Sequence, residues 1–204
     1  EYQTPLAVML AAIETLIDHE DFSKQEKDHY FSMIIREAKH LEALSKDMLL
    51  LSQTHIIKPI YDTIDLNQVI SDVVSELNMI FTDVHVHMKS SNETIDVSMG
   101  MQHIKQIVVN VINNAMRHQH DHHIYIYVGK DSKGAYLTVE NQTNVLVEDD
   151  LAHLMDPFYK KASKGYGIGL TIIKNLLSTY RYHYVLSLKE QRFSIKINFW
   201  SRSS

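Results

Sequence analysis

The chain has 204 residues, 45% of them hydrophobic, enough for one large domain or two small ones. Its 6 Gly and 3 Pro argue against long disordered or collagen-like stretches, and a formal net charge of −5 argues against a general nucleic-acid binder. Cys is absent, so there are no disulfides and no thiolate chemistry, as suits a cytosolic protein. No apolar run approaches the roughly 20 residues of a membrane span. Glu1 and Gln3, leading straight into an amphipathic pattern, do not read as a secretory signal. The 13 His make the charge sensitive to pH between about 7 and 5.

Residues 1 to about 20 predict a helix, with Leu6, Met9, Leu10, Ile13, Leu16 and Ile17 on one stripe and Pro5 near its start. After a polar break, Ser23 and Glu26 fit a capping box. The helix that they open runs to about Gln53, with Phe31, Ile34, Ala38, Leu41, Leu44, Met48 and Leu51 at spacings of three and four. Two helices joined by a short loop make a hairpin that cannot bury both stripes alone, so pairing with a second copy into a four-helix bundle is expected. His19, His29 and His40 on this hairpin read as ordinary surface or core histidines.

The pattern changes near residue 55, where the domain boundary is placed. Ile56 to Ile64 is β-branched and punctuated by Pro59, a linker plus an edge strand. A helix is expected from Asp65–Leu66 to Leu77, a strand over Val84–Met88, and a short extended piece over Ile95–Val97. Next, Ile104, Ile107, Val108, Val111, Ile112 and Ala115 mark the buried side of a helix. Asn110 and Asn114 stand one turn apart on another side, and Arg117 lies a further turn along. Two amide oxygens so placed suit a hard cation such as Mg²⁺, which takes one or two protein oxygens and completes its shell with water and phosphate. The plainer reading is a core helix with solvent-facing Asn.

His118, His120, His122 and His123 invite a metal reading. His122 and His123 enter a strand, however, where neighbours face opposite ways, and a structural Zn²⁺ needs four converging ligands. A polar, titrating loop is the expectation. Strands follow over Tyr125–Val128 and Ala135–Val139 around the turn Asp131–Gly134. Asp149 to Asp156 predicts a short helix ended by Pro157. Phe158, Tyr159, Lys160, Lys161 and Lys164 then lead to Gly165, Gly167 and Gly169 and a helix from Leu170 to Leu177. Glycines at that spacing admit phosphates close to the backbone, and the helix start presents free N–H groups. Strands over Tyr184–Leu188 and Phe193–Phe199 close the sheet.

Taken in order, these segments resemble the histidine kinases. Glu1, Thr4, Pro5 and Leu6 resemble the H box, whose phosphoacceptor His would immediately precede Glu1 and is not in this sequence. The helix bearing Asn110 and Asn114 resembles the N box, Leu154–Lys160 the F box, and Gly165-x-Gly167-x-Gly169 the G2 box. Asn141 stands where the G1 box has Asp, and both G1 glycines are missing.

The resemblance implies an α+β chain. Residues 1–55 would form a dimerisation and histidine-phosphotransfer hairpin, and residues 56–204 an α/β-sandwich ATPase domain of the histidine kinase, gyrase and chaperone type. It implies ATP and Mg²⁺ as cofactors. Asn114 would be the principal Mg²⁺ ligand with Asn110 its partner, Arg117 a phosphate contact, and Asn141 an acceptor for the adenine amino group. Phe158 and Tyr159 would form the base of a lid, and Lys160, Lys164, Gly165, Gly167, Gly169 and Leu170 would line the phosphates. Asn113 should point elsewhere. Glu1 would be the general base of phosphorylation, and Thr4 would position water for dephosphorylating the partner. The implied partners are a second copy of the chain, a response regulator and an upstream sensor region, with no nucleic acid. The implied location is cytoplasmic, in a parent protein anchored in the cell membrane. A catalytically weak dimeric regulator, or a response-regulator phosphatase with little ATP binding, is the alternative.

Overall fold

The computed structural model describes residues 3–19, 21–53, 58–91, 93–161 and 167–200. Contacts divide the chain into two compact units, Glu1–Ser52 and Gln53–Ser204. The first is helical, with α1 over Gln3–Asp18 and α2 over Lys24–Gln53. Ser23 and Glu26 form the reciprocal cap expected at the start of α2. The Glu26 carboxylate accepts the Ser23 N–H at 2.8 Å, and the Ser23 hydroxyl accepts the Glu26 N–H at 3.3 Å. Ala12 and Leu44 are buried, but Leu6, Leu10, Ile13 and Ile17 of α1 and Phe31 and Ile35 of α2 are exposed.

The second unit is built on a five-stranded sheet in the order β2-β4-β5-β7-β6. Its strands are β2 (His85–Ser90), β4 (His123–Lys130), β5 (Ala135–Gln142), β6 (His183–Lys189) and β7 (Arg192–Phe199). Only β2 runs parallel to its neighbour, β4; the other pairs are antiparallel. The strand expected after the linker is three residues long, β1 (Thr63–Asp65), and pairs with β3 (Asp96–Ser98) in a separate ribbon. Glu190 and Gln191 turn β6 into β7 with φ of 49° and 62°, the left-handed pair that a two-residue hairpin turn requires.

Three helices belong to this unit: α3 (Leu66–Asn78), α4 (Met101–His118) and α5 (Gly169–Thr179). Asp65 caps α3 by accepting the Asn67 N–H at 3.0 Å. The apolar side of α4 is buried from Ile104 to Met116 and packs against β5, α3 and α5. Ile124 and Ile126 of β4, Leu137 and Val139 of β5, and Ile195 and Ile197 of β7 supply the inner face of the sheet. The alternate residues, such as Tyr125, Tyr127, Thr138 and Lys196, are only partly covered on the other face.

One hydroxyl ties the entry of this unit to α4. Tyr180 Oη accepts the Ile60 N–H at 3.0 Å and the Gly100 N–H at 3.3 Å, and lies 2.6 Å from His103 Nδ1. Gly100 is the N-cap of α4. Burial holds His103 below the usual imidazole range.

The helix expected over Asp149–Asp156 is a 3-10 helix, Glu148–Ala152, and residues 153–158 continue as turns. Acidic residues crowd its first turn, and the Asp150 carboxylate takes the Val147 N–H at 2.9 Å. That bond favours a tight local turn over a longer α-helix.

Ile112 is fully buried on α4. Ile112→Ala should destabilise the second unit by about 2–5 kcal/mol through lost burial and a residual cavity. A shift of its urea-unfolding midpoint at unchanged slope checks this.

Candidate functional site

Asn110 and Asn114 sit half-buried on α4, one turn apart. Asn110 faces the start of α5. A Cβ built on Gly169 would lie 3.4 Å from Asn110 Oδ1 and 3.7 Å from its Cγ. The two residues are distant in sequence, and the packing of α4 on α5 brings them together. Asn110 Nδ2 is shielded from solvent and has no hydrogen-bond partner among the described residues. A buried amide left so is costly, and it marks a place built for a polar ligand or water. Thr171 Oγ1, in the first turn of α5, is buried and unpartnered in the same way.

Asn113 is engaged along its own helix. Its Oδ1 accepts the Arg117 Nε–H at 3.0 Å, so the exposed Arg117 is held back along its own helix. Asn141 is buried in β5 and donates its amide to the Gln142 carbonyl at 3.2 Å. Its side-chain oxygen is the acceptor that an adenine amino group would need.

Phe158 is 43% exposed and left-handed at φ 65°. Its N–H donates to the Gly167 carbonyl at 2.9 Å. Gly167 has φ +68°, and a Cβ there would meet Tyr159 O at 2.5 Å and Phe158 C at 2.8 Å. Only glycine fits both the dihedral and the space. The backbone at 158–159 is thus clasped to the residue that leads into α5. Lys160 is exposed, and Gly169 and Leu170 are half-buried at the start of α5. Glu1, Lys164 and Gly165 lie outside the described residues. Thr4 belongs to α1, in the first unit, and is exposed.

The residue that the sequence reading missed is Asp150. It is 3% exposed, and its carboxylate accepts the Tyr159 hydroxyl at 2.6 Å and lies 2.9 Å from Lys161 Nζ. The Tyr159 hydrogen bond, then the Val147 N–H, then Lys161 hold its pKa down to about 2. The same contacts push Tyr159 and Lys161 upward. An acidic residue followed at helical and loop distance by Tyr and Lys gives no motif, so composition could not have found it.

Among the described residues no group of three or more potential ligands is placed to hold a metal ion. Instead His87 Nε2 lies 2.9 Å from His123 Nδ1, His85 stacks on His123, and His122 pairs with Asp83 at 3.3 Å.

Against known proteins, residues 1–55 match the His Kinase A (phospho-acceptor) domain. Residues 100–200 match the histidine kinase-, DNA gyrase B- and HSP90-like ATPase domain. The chain is 25% identical over 188 residues to the haem sensor protein HssS of Staphylococcus haemolyticus, covering 89% of this chain and 40% of that one. It is 22% identical over 196 residues to sporulation kinase A of Bacillus subtilis, covering 93% and 32%. The chain therefore spans well under half the length of these relatives. Among solved structures, the Acinetobacter baumannii histidine kinase AdeS superposes with a TM-score of 0.79 at 18% identity, covering 98% of this chain and 97% of that one. Histidine kinase ThkA, solved in complex with response regulator protein TrrA, superposes with a TM-score of 0.79 at 19% identity, covering 98% and 59%.

This chain belongs to the bacterial two-component sensor histidine kinases. It is a kinase core with a helical N-terminal region and a sheet-containing ATPase domain, a domain type that implies ATP binding. Among the described residues, no helix is long and apolar enough to cross a membrane.

Two outcomes follow from this geometry. Gly167→Ala should cost about 1–3 kcal/mol, because the left-handed backbone and the blocked Cβ position act together; Gly169→Ala, with its nearest neighbour at 3.4 Å, should cost much less. Thermal unfolding of the two variants checks the contrast. The folded pKa of Asp150 lies below its ordinary 3.8, so its ionised form stabilises the fold above that value. The advantage of wild type over Asp150→Asn should hold from neutral pH to about 4 and fade as pH drops toward about 2, read as unfolding midpoints against pH.

Proposed function

We propose that residues 56–204 bind Mg-ATP and that the chain passes the γ-phosphoryl group to a histidine and then to an aspartate of a response regulator. The observation that carries this reading is the Asn110 carboxamide at the N-terminus of α5, with Oδ1 3.4 Å from the Cβ position of Gly169 and an unpartnered Nδ2 able to donate to an anionic oxygen. Carboxamide oxygens one turn apart are hard ligands, and a helix start receives anionic oxygens on its free N–H groups. The residues therefore suit a magnesium-bound triphosphate, for which the ion would supply charge neutralisation.

In this reading Asn114 and Asn110 hold the ion. Gly165, Gly167, Gly169 and Leu170 present backbone to the phosphates, and Phe158 and Tyr159 form the floor of the overlying loop. Lys160 and Lys164 bring positive charge to the γ-phosphate. Arg117 reaches the same oxygens by exchanging its bond to Asn113 for a charged acceptor. Asn141 accepts from the adenine amino group, without the charge of a carboxylate. Catalysis would come from positioning and from neutralising phosphate charge.

Residues 1–55 would serve as the dimerisation and phosphotransfer hairpin. The exposed stripe of α1 and α2 supports this, since Leu6, Leu10, Ile13 and Phe31 need a partner surface. Glu1 would act as base toward the phosphoacceptor histidine, and Thr4 would position water in the reverse reaction on the regulator. A response regulator is the partner, and an upstream sensor in a membrane-anchored parent supplies the signal.

Titration with ATP in the presence and absence of Mg²⁺ tests this. Binding should depend on Mg²⁺, and Asn114→Ala should weaken it by about tenfold or more. Absence of binding at millimolar ATP would favour a dimeric regulator or phosphatase instead.

A further inference from the structure

Asp150 is the only charged side chain that is buried among the described residues. A buried carboxylate is costly unless it is paired and hydrogen-bonded, and this one is satisfied by three donors. Val147 supplies a local backbone N–H at 2.9 Å. The other two donors are the Tyr159 hydroxyl at 2.6 Å and the Lys161 ammonium at 2.9 Å. These two residues flank Lys160. The backbone of Tyr159 is gripped independently, because its carbonyl oxygen abuts Gly167 and the preceding N–H bonds to the Gly167 carbonyl. Tyr159 is therefore held at its side-chain tip and along its main chain.

Lys161 is in a different position from an ordinary surface lysine. Its side chain is 42% exposed, but the carboxylate it meets is buried. Withdrawing it toward a phosphate would leave that carboxylate one partner short in a shielded place.

We propose that Asp150 is a positioning residue for the nucleotide: by holding Tyr159 and Lys161 it fixes the backbone on both sides of Lys160 beside Gly167, and it makes Lys161 a strut, not a phosphate ligand. The proposal rests on the Mg-ATP reading given above. It divides the lysines by role, with Lys160 directed to phosphate and Lys161 to the protein. The expected effect therefore falls on phosphate recognition more than on the adenosine end of the nucleotide.

The test uses the full chain with Mg²⁺ and a fluorescent ATP analogue, displaced by ATP or by adenosine, with thermal unfolding followed alongside. Asp150→Asn and Tyr159→Phe should each weaken ATP by about tenfold, the scale of one lost hydrogen bond to a charged group, and adenosine by less than about twofold. Lys161→Met should weaken ATP to a similar degree, and the double variant Asp150→Asn with Lys161→Met should be no worse than Asp150→Asn alone. Tyr159→Phe keeps the ring and carries the test if Asp150→Asn does not fold. Additive losses in the double variant would overturn the proposal by making Lys161 a phosphate ligand. Equal losses for ATP and adenosine would overturn it by reducing Asp150 to a purely structural role. ATP binding by wild type, with both Asp150→Asn and Tyr159→Phe unchanged, would overturn the proposal and leave the Mg-ATP reading intact; no ATP binding by wild type would overturn both.

Discussion

The approach of Asn110 to Gly169 is the constraint on which the second unit turns. With the Asn110 amide 3.4 Å from the Cβ position of Gly169, a methyl group there would sit at van der Waals contact and anything larger would be crowded. The apolar side of α4 fixes the distance. Ile104, Ile107, Val108, Val111 and Ile112 are buried against the sheet and the neighbouring helices, so the opposite polar side has little freedom to slide. Burial thus sets the geometry of the polar site, and the residues doing the chemistry need not contribute to stability themselves. The unpartnered Nδ2 of Asn110 is the cost of that arrangement.

The 158–159 backbone and the lead-in to α5 are joined by a second device of the same kind. Phe158 adopts a left-handed backbone and bonds to the carbonyl of Gly167. A non-glycine residue in that region is strained, and the strain persists because neighbouring contacts over-determine it. Asp150 is one such neighbour, anchoring Tyr159 from within the 3-10 segment. Its charge is stabilised by directed donors more than by solvent, which is why its proton affinity is so low.

Much of this was readable beforehand where the signal is local. Helical periodicity located α4 and both helices of the first unit, and Ser23 with Glu26 announced the start of α2 through groups three residues apart. Pairing between distant segments was not readable. β1 finds β3 in a separate ribbon, and β2 joins the main sheet parallel to β4, since neither choice leaves a mark in the residues of one strand. The segment before Pro157 carries helix-forming residues, but the Asp150 carboxylate competes for the backbone and tightens it into a 3-10 turn. The resemblance directs Arg117 to phosphate, and its bond to the Asn113 amide oxygen is a local contact that the motif does not encode. Asp150 itself became visible only when the fold carried Tyr159 and Lys161 back to it.

Tyr180 has a mechanical meaning. One phenol oxygen accepts hydrogen bonds from the main chain at Ile60 and from the N-cap of α4, two segments that a solvent-filled gap could otherwise have kept independent. Force carried along the polypeptide that enters the unit would arrive first at this knot, and through Gly100 at the axis of the asparagine helix. The fold thereby couples the backbone at Ile60 to the start of the asparagine helix through one phenol oxygen.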